Sequence, residues 1–310
     1  MVTRVSTAGN YSAIIANLMA SEGRQVDAEN RVATQKNGND LKTYASKAET
    51  LTAMRSVAKR VDTYRAQNDV VAAKLNIQDS GLNAVADSAI AVRQAIADAL
   101  ASDNAGTLMQ ELSSQFHNAV DGMNAQYDGK YVFAGGQINT KPVTATALTD
   151  LTAGPPIASF FQNDQFKAQA KLSDATTVTT GVLASDIGTG MLSGLQTIQA
   201  FNDGGSGPLN GPLTAAQRTF LQNQLGSWDT IKDAAIQVTA QNGLVQNRVD
   251  SVKDDLVTQS NTLAGMIASI TDADLAKAAT DLSAAQLSVQ ATAQVLNVMQ
   301  SNSLLNFLKL

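Results

Sequence analysis

Residues 270–310 read ITDADLAKAATDLSAAQLSVQATAQVLNVMQSNSLLNFLKL, and the rest of the chain is organised around this stretch. Large aliphatic residues recur every seven positions, at Leu275, Leu282, Val289 and Leu296. A second row follows each of them by three positions, at Ala278, Ala285, Thr292 and Met299. This heptad spacing predicts an α-helix with one apolar face that packs against another helix. Thr271, followed three residues later by Asp274, predicts a variant of the capping box at the start of the helix.

Both ends of the chain carry further apolar residues. The C-terminal end has leucines at Leu304, Leu305 and Leu308. Near the N-terminus a short apolar face is formed by Ile14, Ile15 and Leu18. Burying a leucine or valine contributes about 1.5–3 kcal/mol, but ordering the backbone costs about 1–2 kcal/mol per residue, so one thin seam does not hold a helix alone. We therefore predict that the two ends pair in one coiled coil and present apolar residues for assembly. An ordinary helix of an intramolecular bundle would show the same spacing, and the residues alone leave both interpretations open.

The composition favours helical bundles over a thick globular core. Of the 310 residues, 44% are hydrophobic but only 5% are aromatic, so alanine, leucine, valine and isoleucine supply the apolar surface. Charged residues make up 16% of the chain, which is below the level of about 25% in typical soluble domains. Long helices with uncharged outer faces fit subunits that pack against one another, although an alanine-rich composition in general would give similar values.

The charge and the missing cysteines exclude several classes of partner and site. The net charge is −5 and the isoelectric point is about 4.9, so the chain has no electrostatic attraction for nucleic acid or an anionic membrane. The chain has no cysteine, which excludes disulfides and thiolate metal sites. Residues 13–20 are too short and too polar for a secretory signal, and no stretch is long and apolar enough to span a bilayer. If the protein leaves the cell, we expect export without a cleaved signal peptide.

Two further parts of the chain carry long helical patterns. Apolar residues step by three and four through residues 61–96, and they recur every seven positions from Leu221 to Ile270. Each pattern predicts a helical rod of several heptads. Asn68 and Gln78 lie on the seam of the first rod, where polar residues weaken a coiled coil but can fix its register.

The stretch between the two rods differs in composition. From residue 137 to about residue 204, threonine, valine, glycine and proline become frequent, which predicts a small β-rich insertion with a returning helix at residues 191–201. We therefore predict a mainly α protein, a long antiparallel coiled-coil helical bundle with a small β-rich domain inserted mid-chain. The predicted parts are a terminal coiled-coil assembly domain, a helical rod domain and an outward-facing insertion, formed respectively by residues 1–40 with 271–310, residues 41–136 with 205–270, and residues 137–204.

No arrangement of residues predicts a catalytic, cofactor or metal site. The single histidine, His117, lies beside Phe116 on a predicted helix, and one histidine makes neither a catalytic triad nor a metal site. Residues 188–190 read Gly-Thr-Gly like the start of a nucleotide loop, but the later glycine spacing and the phosphate-binding lysine do not follow. Asp254 and Asp255 are better explained by a solvated helix face than by acid–base chemistry. We therefore expect a structural protein without a cofactor rather than an enzyme.

Three motifs, in this order, resemble those of the bacterial flagellin superfamily, and within it the hook–filament junction proteins of the hook-associated protein 3 type. A turn similar to the tyrosine–phenylalanine–glycine turn of the junction proteins is formed by Gly129, Tyr131, Phe133 and Gly135. The pair Asn247 and Arg248, preceded by Gly243, is similar to the glycine and Asn-Arg pair on the second rod of the family. Residues 272–305 are similar to the flagellin C-terminal signature.

The resemblance implies a structural function in the bacterial flagellum. Members of the family pass through the flagellar export channel without a cleaved signal, escorted by a cytoplasmic chaperone that binds the C-terminal helix. The implied assembly is a ring of self-associated subunits secured by the terminal helices. Hook-associated protein 1 would lie on the hook side, and flagellin or hook-associated protein 3-like subunits on the filament side. The implied localisation is extracellular, on the flagellum, with no nucleic-acid or membrane partner.

Two other interpretations stay open. A filament-forming flagellin would share nearly all of these features, although flagellins carry a Ser-Gly-Lys segment and paired aspartates where this chain has QKNGND at residues 35–40. An intracellular coiled-coil scaffold or a phage structural protein would share the heptads but would not be found on flagella.

Overall fold

A computed structural model describes residues 2–38 and 40–301 of the chain, without the side chains of residues 2–8. The α-helices within this range are α1 (Val2–Thr34), α2 (Ala48–Ala101), α3 (Leu108–Met123), α4 (Ala184–Asp203), α5 (Ala215–Thr271) and α6 (Leu275–Ser301). The two antiparallel hairpins are formed by β1 (Gln126–Tyr127) with β2 (Lys130–Tyr131) and by β3 (Gln169–Lys171) with β4 (Thr177–Thr179). Short 3₁₀ segments span Leu41–Lys47, Leu148–Thr152 and Ile157–Phe160. The predicted mainly α fold with a small β part is confirmed.

The chain divides into two compact units. The terminal unit comprises Met1–Arg60 with Gln259–Leu310, and the central unit comprises Val61–Thr258. The division into three domains that the sequence suggested stays a prediction.

In the terminal unit, α1 and α6 pack side by side and run antiparallel. The Gln300 side-chain amide donates to the Tyr11 hydroxyl at 3.1 Å, and the hydroxyl oxygens of Ser21 and Ser288 lie 3.0 Å apart. Residue numbers therefore fall along α6 as they rise along α1. The predicted pairing of the two chain ends is confirmed by these contacts.

Small residues, rather than the leucines, form the centre of this helix pair. Ala28 of α1 and both Ala278 and Ala285 of α6 are buried. The row of large aliphatic residues is less buried. Leu275 is 46% exposed, and the later members of the row are half-buried, namely Leu282, Val289 and Leu296. Both rows of the predicted seam thus face α1, but the row of small residues lies deeper in the contact. A serine hydroxyl lies only one bond beyond Cβ, so the contact between Ser21 and Ser288 brings the two backbones close together, and only small side chains fit between them.

The start of α6 also differs from the prediction. Helix α5 continues to Thr271, and the chain is non-helical over residues 272–274. The Asp274 carboxylate accepts the backbone N–H groups of Ala276 at 3.0 Å and Lys277 at 3.1 Å, so Asp274 is the N-cap of α6. The predicted capping box with Thr271 is wrong, because Thr271 is the last residue of the preceding helix.

In the central unit, α2 and α5 are antiparallel, and polar side chains bridge their seam. The Gln78 amide donates to Asn242 Oδ1 at 3.1 Å, and the Asn242 amide donates to Asp79 Oδ1 at 3.2 Å. Gln78 and Asn242 are both buried. Since a buried amide loses its partner when the helices slide, this pair is suited to fix the register, and that role of Gln78 stays a prediction. Asn68 is buried too, but it donates to the Leu172 carbonyl at 3.0 Å and so anchors the inserted region instead of the partner helix.

The core of the central unit lies where α3 and α4 pack with the two rods. Its largest fully buried side chains include Phe116, Phe133 and Trp228. Helices α2 and α3 cross at Gly81 and Gly122, where a Cβ on Gly81 would lie 2.6 Å from the Gly122 carbonyl oxygen. The helical pattern of the sequence runs through Gly81, and this crossing is the physical reason for the glycine.

The region between the rods has less β structure than its composition suggested. Within residues 137–204, the described strands are β3 and β4, each of three residues. Of the threonine- and valine-rich segments, residues 177–179 form β4, whereas residues 141–144 make only an isolated β-bridge, between Val143 and Phe161. Helix α4 also begins earlier than the predicted residue 191. Its first turn is stabilised from outside, because the Ser185 N–H donates to Asn163 Oδ1 at 3.1 Å.

Candidate assembly surface

Helix α6 has a second apolar face that α1 leaves uncovered. Its members step by three and four residues and therefore share one side of the helix, and we name them the α6 stripe: Ala284, Leu287, Ala291, Val295 and Val298. Leu287 is 67% exposed and Val298 is 57% exposed. Burial of one such side chain contributes about 1.5–3 kcal/mol, so the stripe can gain stability from a partner.

Helix α1 carries an exposed apolar row of its own. We name it the α1 stripe, and it consists of Tyr11, Ile15, Met19 and Val26. Met19 is 67% exposed, and Ile15 is half-buried. The other two predicted assembly residues of α1, Ile14 and Leu18, are half-buried in the helix pair. The pair thus covers its own seam but neither of its outer faces.

Charged residues are absent from one end of this helix pair. The sequence of α1 has none between Arg4 and Glu22, and the sequence of α6 has none after Asp281. Because Ser21 lies beside Ser288, the antiparallel pairing places these two uncharged segments next to each other. Neutral side chains cost less to remove from water than charged ones, so this end suits burial among other helices.

The other end of the helix pair is charged. A groove of about 470 Å³ is lined there by residues that include Arg24, Asp27, Arg31 and Asp281. Arg31 and Asp281 approach each other to 3.9 Å across the two helices, and both are partly exposed. Such an exposed ion pair contributes little to stability. A groove with charges of both signs is better suited to a protein surface than to an apolar ligand.

The predicted assembly residues differ in their burial. The structure brings the predicted residues of α1 into one helix pair with half-buried residues of α6. These residues are Ile14, Ile15 and Leu18 of α1 and Leu282, Val289 and Leu296 of α6. Leu275 is exposed at the first residue of α6. The last predicted residues, Leu304, Leu305 and Leu308, lie outside the described residues, and their contribution stays a prediction. The prediction from the heptads did not include the α6 stripe. The spacing of its apolar residues by three and four positions is the signal in the sequence that could have identified it.

The first part of the junction-type motif builds a turn. Asp128 and Gly129 lie between β1 and β2 with φ values of 51° and 70°. Positive φ at both central residues is typical of a type I′ hairpin turn, for which Asp-Gly is a favoured pair. Tyr131, at the end of β2, is half-buried. Gly129 therefore serves the local fold rather than a contact with a ligand.

The second part of the motif anchors the loop to the core. Phe133 is fully buried, and Gly135 has a φ of 66°. The Asp164 carboxylate accepts the backbone N–H groups of Gly136 and Phe166, each at 2.9 Å. These two hydrogen bonds hold the pKa of Asp164 below its ordinary value, and the bond from Gly136 has the larger effect. Phe133 and Gly135 are thus residues of the fold as well.

Replacing Gly135 by alanine is expected to lower the free energy of unfolding by about 2 kcal/mol or more. An L-residue in the left-handed region costs about 1–2 kcal/mol, and the new Cβ would also collide with the Asp164 carboxylate. Gly129→Ala is the matched control, since Gly129 has a similar φ but nothing within 4 Å of the added Cβ. Urea unfolding of both variants should therefore show the larger loss for Gly135→Ala. Equal losses would contradict a specific contact with Asp164.

The third part of the resemblance lies on the surface. Asn247 and Arg248 are exposed on α5 of the central unit, and Leu244 beside them is 69% exposed. These residues do not belong to the buried seam, where Asn242 and Val249 lie instead. Exposed residues of this kind can contact another protein, but Asn247 and Arg248 belong to the central unit and not to the terminal helix pair.

Neither metal ligands nor a catalytic cluster were found among the residues that the structure describes. No three side chains of histidine, aspartate or glutamate lie close enough there to hold a metal ion. His117 is exposed, and its ring meets the ring of Phe116 edge-on, with the ring centroids 5.3 Å apart. Residues 188–190 are part of α4 and form no loop. None of the described helices combines the length and the hydropathy that crossing a bilayer requires.

Comparisons with known proteins agree with this architecture. Residues 228–308 match the family model of the bacterial flagellin C-terminal helical region. No curated protein sequence matches the chain.

Two solved structures share the fold of most of the chain. One, from Vibrio parahaemolyticus and assigned as a flagellar hook-associated protein, is 14% identical with a TM-score of 0.58, and the match covers 72% of this chain and 97% of that one. The other, FlgL from Bacillus cereus, is 17% identical with a TM-score of 0.53, and the match covers 71% of this chain and 99% of that one. Residues 228–308 are therefore similar to the C-terminal helical region of bacterial flagellins, and most of the chain shares the fold of these two solved structures.

Proposed function

We propose that this protein is a structural subunit of the bacterial flagellum that assembles, through α1 and α6, into a ring at the junction of hook and filament. The observation that carries the proposal is the pair of uncovered apolar stripes on the terminal helix pair, in a chain with a flagellin C-terminal region. Two helices alone have no third layer in which to bury these residues. Neighbouring copies supply that layer when the ring forms.

The partners follow from the same role. The protein contacts further copies of itself within the ring, hook-associated protein 1 on the hook side, and flagellin or hook-associated protein 3-like subunits on the filament side. A cytoplasmic chaperone covers the apolar residues of α6 before export, and the protein leaves the cell without losing a signal peptide. Its work is mechanical rather than catalytic, and it uses no cofactor, nucleic acid or membrane.

Immunogold electron microscopy of intact flagella tests the proposed place. An antibody to residues 140–200 is expected to label one cluster per flagellum, where the hook meets the filament. Antibody that has been absorbed with the purified protein is the control. Label along the whole filament would instead identify a filament flagellin. Label confined to the cell interior would contradict a flagellar role and favour a coiled-coil scaffold.

A further inference from the structure

The residues that follow the end of α1 lie beside the residues that connect α5 to α6. Backbone hydrogen bonds join these two non-helical segments. The Asn37 N–H donates to the Thr271 carbonyl at 2.8 Å, and the Ala273 N–H donates to the Gln35 carbonyl at 2.9 Å. Together these hydrogen bonds make an antiparallel β-bridge between segments that are more than 230 residues apart in sequence. We name this arrangement the terminal clasp, and it consists of residues 35–38 and 271–273.

Side chains reinforce the terminal clasp. Lys36 Nζ lies 2.5 Å from the Asp272 carboxylate, and the Asn37 amide donates to the Asp272 carbonyl at 2.8 Å. The Tyr44 hydroxyl donates to the Gly38 carbonyl at 2.7 Å. The hydrogen bond from the Lys36 ammonium holds the pKa of Asp272 below its ordinary value, and the hydrogen bond from the Thr271 hydroxyl adds a smaller effect. Residues of three separate segments thus converge on the clasp.

The helix pair beyond the clasp benefits from a device of this kind, because the apolar residues of its seam distinguish neighbouring registers only weakly. The buried residues Ala278 and Ala285 are seven positions apart, as are the half-buried aliphatic residues on the flank of the seam. If α6 slides by one heptad, leucine or valine replaces leucine or valine on the flank, one of the two buried alanines is replaced by an alanine, and the other is replaced by Thr271 or Thr292. A coiled coil with such a repeat takes its register from polar or geometric features.

We propose that the terminal clasp sets the register of α1 against α6. Its main-chain bridge has no equivalent one heptad away, because the N–H and carbonyl groups inside the flanking helices are already paired within those helices. The other polar contacts between α1 and α6 are weaker anchors. Arg31 with Asp281 and Gln300 with Tyr11 are exposed, and Ser21 contacts a single hydroxyl of α6. The inference goes beyond the proposed flagellar function and does not depend on it.

Engineered disulfides can report the register, because the chain has no cysteine of its own. Ser21→Cys with Ser288→Cys reports the observed register, since the two hydroxyl oxygens are 3.0 Å apart. Val295 and Asp281 lie seven positions to either side of residue 288. Ser21→Cys with Val295→Cys, or with Asp281→Cys, therefore reports a slip by one heptad in either direction. The purified full-length chain is oxidised mildly and the disulfide fraction is measured by mass spectrometry.

Two clasp variants are compared in these backgrounds. Ala273→Pro removes the N–H group that donates to Gln35, at a position outside both helices. Lys36→Glu places a negative charge against Asp272, and Lys36→Glu combined with Asp272→Lys restores an ion pair of reversed polarity. Lys42→Glu changes the charge equally at an exposed position outside the clasp and is the control.

The parent chain is expected to form the 21–288 disulfide and little of the slipped ones. Loss of a single hydrogen bond changes an equilibrium about fivefold, so Ala273→Pro should raise the slipped fraction by about that factor. Lys36→Glu should raise it less, the reversed pair should restore the parent pattern, and Lys42→Glu should leave it unchanged. The proposal is overturned if Ala273→Pro still gives only the 21–288 disulfide, or if the parent chain gives slipped disulfides or none. Emission from Trp228, the single tryptophan, monitors the fold of the central unit in every variant.

Discussion

Replacing Gly81 by alanine should lower the free energy of unfolding of the central unit by about 3 kcal/mol, although alanine is the better helix former. The added Cβ would lie 2.6 Å from the Gly122 carbonyl oxygen and 2.7 Å from the ring of Phe133. Neither group can swing away, since one is helix backbone and the other is a fully buried ring. Overpacking of this kind costs about 1–3 kcal/mol, and rigid neighbours place Gly81 at the upper end. For a unit of this size the midpoint of thermal unfolding should fall by roughly 6–12 °C.

Gly226→Ala is the matched control for this prediction. Gly226 also lies inside a long helix of the central unit, but nothing is within 4 Å of a Cβ added there. Alanine should therefore stabilise that position by about 0.5–1 kcal/mol through helix propensity alone. Opposite signs for the two variants, measured by calorimetry, would establish the close crossing of α2 and α3. Equal stabilisation by Gly81→Ala and Gly226→Ala would contradict the crossing, because it would mean that α2 and α3 leave room for a Cβ at Gly81.

The rods could be predicted from the sequence because their seams repeat over many turns. The seven-residue row through Trp228, Asn242 and Val249 is buried as its spacing indicates. Gln78 lies on the seam as its spacing indicates and pairs with Asn242, and its role in fixing the register stays a prediction. A periodic pattern of this length leaves few alternatives, since each heptad repeats the same geometric requirement.

Other features depend on contacts that no local pattern contains. The spacing of Leu282 and Ala285 fits a helix face, but which row lies deeper in the contact with α1 depends on how closely the backbones approach, and the contact of Ser21 with Ser288 decides that. The terminal clasp joins segments from opposite ends of the chain through main-chain groups, which leave no mark in the side-chain sequence. The segments between the rods have strand-like composition, yet the length of a strand depends on its neighbour, and the pairing stops at three residues in β4 and at a single bridge for Val143.

Replacing Leu287 by aspartate is expected to abolish incorporation into the flagellum while both units stay folded. Leu287 is 67% exposed in the free chain, so a charge there stays in water and costs little. Within the proposed ring the same carboxylate would be buried without a partner, at an effective cost of several kcal/mol per ion. Every subunit carries the change, so the cost recurs around the ring. Motility, immunogold labelling and the amount of protein in the culture medium are the measurements.

The medium separates a failure of assembly from a failure of folding or export. An exported subunit that cannot join the ring should accumulate outside the cell, whereas a chain that is degraded or retained should be missing there. Gln286→Asp adds the same charge to the adjacent residue, which is polar, exposed and outside the α6 stripe. Normal motility of Gln286→Asp together with secretion but no attachment of Leu287→Asp would locate the contact on the stripe. Attachment of Leu287→Asp at the normal level would mean that this face of α6 stays in water in the flagellum, and the assembly surface would then have to lie elsewhere on the chain.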